Sequence, residues 1–373
     1  VRNLYANGMA EATVSGLRAL RPGKRPFVLS RSGFLGIQRH AAVWTGDNHS
    51  SWQHLRENLD MVLNLGLSGV PLAGADVGGF GRGPGKYGAV KPFRPSAELF
   101  IRWMELGALM PFFRVHCTLY APRQEPWSFG RRALELARMV LKRRYRLLPL
   151  LYRLALEAHE TGLPIVRPMF MHFAVPRGVA RDQFLLGDQL LVAPVLEKGA
   201  TRREVWLPQG LWMEWRNSRL HEGGQSIAVD APLGATPVFV RAGSALFVAE
   251  PGRNAQETRG GQLAVEVVPP ESGSAGRGSL FLDDGESDAP ARFLLDATVD
   301  WAGRALQVRF ECREFSFVPE QRELELRVPA TFRLARVEGR RVELRKLVPF
   351  GEGRDAARVG LRVPLGTRVV TFE

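Results

Sequence analysis

Ala41-Ala42-Val43-Trp44-Thr45-Gly46-Asp47-Asn48 is a short apolar run that ends on a turn and a carboxylate. A run this short reads as a buried strand. A lone acid at its end is the usual setting of an acid/base residue at the mouth of a β/α barrel. The residues that follow have a helical period. Ser50 opens the helix with Gln53 three residues on, as a capping box requires. Leu55, Leu59, Val62 and Leu63 share one face, and Gly66 is a natural stop.

The same alternation extends in both directions. Residues 4–20 form a helix stopped by Arg21-Pro22-Gly23, and residues 26–30 form a β-rich run ending at Arg31. Downstream, residues 69–76 read as a strand ending in Asp76, and a glycine- and cation-rich loop covers 78–95. A helix over 96–109, an apolar strand over 110–113 and a long helix over 129–159, bent at Pro149, complete the pattern. Strands alternating with helices, with polar groups at the strand ends, predict a parallel sheet or a (β/α)8 barrel. Four such strands are half of what closure needs.

After Gly162 the pattern changes. Short β-like runs at 184–195, 204–207, 236–241, 263–268, 280–283, 306–312, 324–328 and 369–372 are punctuated by Gly, Pro, Asn and Asp. This is the mark of β-sandwich domains. Pro/Gly-rich stretches at 250–261 and 269–278 place a boundary near 250 and a long hairpin beyond it. The expected domains are 1–163, 164–250 and 251–373.

The chain has 373 residues and a formal charge of +13, spread over every segment rather than gathered into a nucleic-acid motif. No nucleic-acid partner is expected. No apolar run is long enough to span a bilayer, so no membrane partner is expected either. The two cysteines, Cys117 and Cys312, are far apart and read as free thiols of a reducing cytoplasm. His116 precedes Cys117, but adjacent strand residues face opposite ways, which argues against a dyad. His40, His49 and His54 lack metal-ligand spacing, so no metal is expected. Gly81-Arg82-Gly83-Pro84-Gly85-Lys86 only superficially resembles a phosphate loop, since Pro84 and the lack of Ser or Thr after Lys86 spoil it.

Four collinear segments carry a family resemblance. They are Arg31-Ser32-Gly33-Phe34, the stretch around Asp47, Gly74-Ala75-Asp76-Val77-Gly78-Gly79-Phe80 and Pro111-Phe112-Phe113-Arg114-Val115-His116. Together they resemble the second half of the catalytic barrel of glycoside hydrolase family 31, the α-glucosidase family. Asp182 to Asp188, Leu191 to Val195, Val205 to Pro208 and Pro237 to Gly243 look like its proximal C-terminal domain. Asp283-Asp284-Gly285-Glu286-Ser287 resembles a signature of its distal one. The resemblance runs from about residue 3 to 290. It implies an α/β plus all-β chain: the second half of a (β/α)8 TIM barrel followed by two β-sandwich domains.

The resemblance also implies roles. Asp47 matches the acid/base of a retaining α-glycosidase; the plainer alternative, that it merely caps the turn before the next helix, is the weaker reading. Asp76, Arg31 and His116 match groups that hold sugar hydroxyls. Arg114 supports the site by ion pairing, and Trp44 and Phe80 offer apolar faces to the ring. No cofactor is implied, and the substrate is an oligosaccharide with a terminal α-linked sugar. The family's nucleophile motif, Trp-x-Asp-x-Asn-Glu, does not occur in this sequence, and neither Asp60 nor Asp76 is a credible replacement. The chain is therefore expected to be an incomplete part that is inactive alone and takes a complementing N-terminal half as partner. The alternative is a truncated product that at most binds carbohydrate.

Overall fold

The computed structural model describes residues 2–81, 94–119, 121–177, 179, 182–347 and 358–373. The first part alternates helix and strand: α1 (Arg2–Leu20), β1 (Leu29–Ser30), β2 (Ala42–Trp44), α2 (Trp52–Leu67), β3 (Ala73–Gly74), β4 (Asp76–Val77), α3 (Ala97–Gly107), β5 (Arg114–Val115), α4 (Arg131–Arg146) and α5 (Leu148–Thr161). Every strand pair here is parallel. Leu29 faces Ala42, Val43 faces Ala73, and Asp76 faces Arg114. Parallel strands joined by helices are the architecture of a β/α barrel wall.

Several local expectations are corrected. The cap of α2 is Ser51, whose side chain accepts from the His54 amide, so Ser50 and Gln53 form no capping box. Gly66 does not stop α2. The helix continues to Leu67 and the chain turns at Gly69, with φ +81°. Gly66 instead lets Pro164 approach, since a Cβ there would lie 3.0 Å from the proline ring. The expected strand 69–76 is divided at Ala75, which lies between β3 and β4. Residues 110–113 are not a strand. Arg144 donates to the carbonyls of Ala108, Met110 and Pro111, which holds this run as a turn and moves the strand to Arg114. The long helix 129–159 is two helices, broken at Leu147, with Pro149 in the first turn of α5, where its missing N–H is harmless.

The β part has two modules. In the proximal one, a six-stranded sheet runs in the order 220–222, 211–214, 238–241, 190–192, 184–186 and 166–168, beside a hairpin of Arg202–Leu207 and Gln225–Asp230. In the distal one, a five-stranded sheet from Ala245–Ala249 to Arg345–Leu347 lies with a six-stranded sheet from Gly276–Leu282 to Arg340–Glu343. Leu280, Phe293, Leu326 and Phe372 are among the side chains between them. Ala245–Ala249 pairs with Leu263–Val267, so by hydrogen bonding it belongs to the distal module although it precedes the expected boundary at 250.

Buried polar contacts fix the modules to one another. α3 is buried from Leu99 to Gly107, and Phe100, Trp103 and Met104 are almost wholly shielded. Its Arg102 pairs with Glu105 at 3.0 Å and donates to Ala200 and Ala231 of the proximal module. Glu266, on the distal strand Leu263–Val267, is buried against Arg146 of α4, Arg358 at 3.0 Å and the Trp215 indole N–H at 2.7 Å. Burial alone would raise its pKa, but the two guanidiniums hold it well below the usual carboxylate range.

Candidate active site

The strands of the barrel wall lie in two small parallel sheets, β1-β2-β3 and β4-β5, and their ends bring the expected site residues near one another. Arg31 follows β1 directly. Asp47 follows β2 across a turn at Gly46, where φ is +82°. The Thr45 amide donates to the Gly74 carbonyl, which holds the start of that turn. The Arg31 guanidinium comes to 3.4 Å from Asp47 Oδ2, and the Asp47 side chain stays 20% exposed. The acid thus has a cationic neighbour and stays open to a ligand.

Asp76, at the start of β4, is fully buried. Its Oδ1 accepts from Arg114 Nε at 3.1 Å and Nη2 at 2.5 Å. Its Oδ2 accepts from no group among the described residues. Burial pushes this carboxyl up, the Arg114 bonds and the His116 charge oppose the push, and the Asp47 charge adds to it; the net direction is up. A buried oxygen with no protein donor is suited to accept a ligand's hydroxyl. Arg114 also lies over the Trp44 indole, 4.8 Å from its centroid, so one face of that ring is occupied. Phe80 and His116 are in contact, their rings 5.5 Å apart and tilted by 38°.

Two residues that sequence reasoning missed tie these parts together. Asn48 is buried; its Nδ2 donates to the Asp76 carbonyl at 3.0 Å and its Oδ1 accepts from the Phe80 amide at 2.9 Å. Gln124 is buried and donates to the Gly79 carbonyl at 3.1 Å. An Asn directly after Asp47 at a strand end was a readable signal for the first. Nothing local marks Gln124, which lies 45 residues from its partner.

Other side chains nearby do not compete for the chemistry. Asp60 is exposed on α2. His49 and His54 stack at 4.5 Å, with the His49 amide donating to His54 Nδ1, and no group of three metal-ligating side chains is present among the described residues. Burial pushes the Cys117 thiol up, which keeps it protonated. The phosphate-loop look-alike at 81–86 lies, after Gly81, outside the described residues, as does most of the loop 78–95. Among the described residues no helix is long and apolar enough to cross a membrane.

The sequence profile of the glycosyl hydrolases family 31 TIM-barrel domain matches residues 1–154, and that of the family 31 C-terminal domain matches 162–246. Alpha-glucosidase 2 of Bacillus thermoamyloliquefaciens is 40% identical over 289 residues, 77% of this chain and 35% of the relative. Neutral alpha-glucosidase AB of Homo sapiens is 39% identical over 295 residues, 77% of this chain and 30% of the relative. The solved GH31 dextranase of Flavobacterium johnsoniae, complexed with glucose, superposes with a TM-score of 0.88 at 25% identity, over 100% of this chain and 49% of that one. The chain therefore spans about a third of the length of these curated relatives. With barrel wall, β modules and both family profiles in agreement, the chain belongs to glycoside hydrolase family 31, as the second half of its TIM barrel followed by its C-terminal β domains.

Proposed function

We propose that this chain supplies the acid/base side of a retaining α-glycosidase site that releases a terminal α-linked sugar from an oligosaccharide. The observation that carries the proposal is a part-exposed Asp47 beside Arg31, together with a buried Asp76 whose Oδ2 has no donor among the described residues. Asp76 and Arg114 would grip the hydroxyls of the terminal sugar, with Phe80 and His116 bordering it. Asp47 would protonate the departing glycosidic oxygen and then take the proton of the incoming water. Support also comes from relatives named as alpha-glucosidases and from a solved α-xylosidase of Xanthomonas citri at a TM-score of 0.79.

Retention requires a second carboxylate about 5–5.5 Å from the first. Asp60 is exposed on α2 and Asp76 is held by Arg114, so neither fits that role. We infer that the nucleophile comes from a segment equivalent to the part of the relatives that this chain does not span, in the same polypeptide or a complementing one. The free thiols of Cys117 and Cys312 support a reducing cytoplasmic setting as part of the same proposal. The test is turnover of an aryl α-glucoside by the natural protein from its source cells, with and without Asp47→Asn. Turnover that survives the substitution overturns the assignment.

A second reading, carbohydrate binding without turnover, is favoured by the lack of a fitting nucleophile among the described residues. Glucose binding by calorimetry, lost in Asp76→Asn, with no hydrolysis in any natural form, would establish it.

A further inference from the structure

The Asp283-Asp284-Gly285-Glu286-Ser287 signature has no part in the sugar site, yet each of its side chains is engaged. Asp284 Oδ1 accepts from the Glu286 and Ser287 amides, both at 2.9 Å, which folds the segment into a tight turn. Gly285 has φ +74°, and a Cβ there would lie 2.2 Å from Arg259, which donates to the Asp284 carbonyl. The turn is therefore closed by bonds from within its own module.

Its outer surface grips the chain just ahead of β1. Lys24 and Ser287 form an antiparallel bridge. The Arg25 amide donates to the Glu286 carbonyl at 2.7 Å, and the Asp288 amide to the Gly23 carbonyl at 3.0 Å. The Arg25 side chain uses three separate nitrogens: Nε to the Ser287 carbonyl at 3.1 Å, Nη1 to the Tyr152 hydroxyl at 2.7 Å and Nη2 to Asp283 at 2.7 Å. Asp283 is only 1% exposed and also accepts from Tyr152 of α5 at 2.7 Å. Charge-assisted bonds to a buried carboxylate are the strong kind.

What lies beyond Arg25 needs such a hold. Pro26 fixes its own φ, Phe27 stacks on Phe112 at 6.4 Å, and β1 has only two paired residues on β2. The next residue after β1 is Arg31, which meets Asp47.

We propose that the distal module's acidic turn is a positioning element of the candidate site: through Arg25 it fixes the entry of β1, and β1 carries Arg31 to Asp47. Arg25 is thus a positioning residue, remote from the substrate. The role rests on the proposed glycosidase only for its kinetic consequence; the mechanical consequence is independent of it.

The test uses the full natural protein with Arg25→Ala and Asp283→Asn. Amide exchange across 28–45 should quicken by about tenfold or more in both, while 97–107 and 293–315 keep their protection. Hydrolysis of an aryl α-glucoside should fall about tenfold, chiefly in kcat. In an Arg31→Ala background, Arg25→Ala should cause no further loss, because both act through one contact. A merely stabilising residue would loosen all segments together and add its effect to that of Arg31→Ala; either result overturns the proposal. Unchanged exchange at 28–45 also overturns it. If the wild-type protein shows no hydrolysis, the glycosidase reading falls and the exchange pattern alone decides the anchor.

Discussion

Glu266→Gln isolates the ionic junction between the modules. The carboxylate is 2% exposed and meets Arg146 and Arg358, whose side chains are 5% and 13% exposed. A glutamine keeps the shape and can still accept from the Trp215 indole, but it removes the negative charge that Glu266 presents to Arg146 and Arg358, with Arg327 3.9 Å away. Removing one partner of a buried ion pair costs about 3–5 kcal/mol. At about 2–4 °C per kcal/mol for a unit of 150–250 residues, the melting temperature should fall by roughly 6–20 °C at pH 7. The pH dependence follows from the depressed pKa. The folded value lies below the ordinary 4.5, so this stabilisation is present above 4.5 and is lost as pH falls toward the folded value. The gap between wild type and variant should therefore be full at pH 7 and measurably smaller at about pH 3, shrinking progressively as pH falls from 4.5 toward the folded value. Thermal unfolding followed by circular dichroism at both pH values measures it. A gap at pH 7 worth less than about 1 kcal/mol, or one that widens in acid, would refute the account of the junction as a charge-dependent bond.

Further outcomes concern the site and its scaffold. Asp47→Asn in the natural, hydrolytic form should lower kcat by about 10²–10⁴ while glucose binding persists, checked by steady-state kinetics and calorimetry. Asp76→Asn should change the slope of stability with pH. The raised folded pKa of Asp76 means its contribution is full in acid and declines as pH rises through that value, so the wild-type melting temperature should lose more between pH 4 and 8 than the variant's. Gly74→Ala should lower the melting temperature and abolish hydrolysis together, because its Cβ would sit 2.0 Å from the Phe112 carbonyl and push β3 off the neighbouring segment.

The alternation of strand and helix was legible because the barrel strands are short and carry polar groups at or just past their ends: Arg31, Asp47 and His116 follow a strand, while Asp76 and Arg114 open one. Boundaries were harder wherever distant side chains decide them. Residues 110–113 have the composition of a strand, and only Arg144, 33 residues away from Pro111, makes them a turn. Gly66 carries the signal of a helix stop, and only the approach of Pro164 explains why a glycine stands inside α2. In the site, charged and aromatic groups could be nominated from their place at strand ends. Gln124 could not, because its bond to Gly79 depends on how the loop after β5 folds back.

The clasp between the acidic turn and the start of the barrel also sets an order of events during synthesis. Lys24 and Glu286 are 262 residues apart, and Arg18 and Asp288 are 270 apart. At about 5–20 residues per second, a ribosome delivers the second half of this clasp roughly 13–50 s after the first. Through that interval the strand bearing Arg31 has emerged without its anchor. A chain halted before Asp283 would carry every candidate sugar-contacting side chain named above and still leave the approach to Asp47 unsecured.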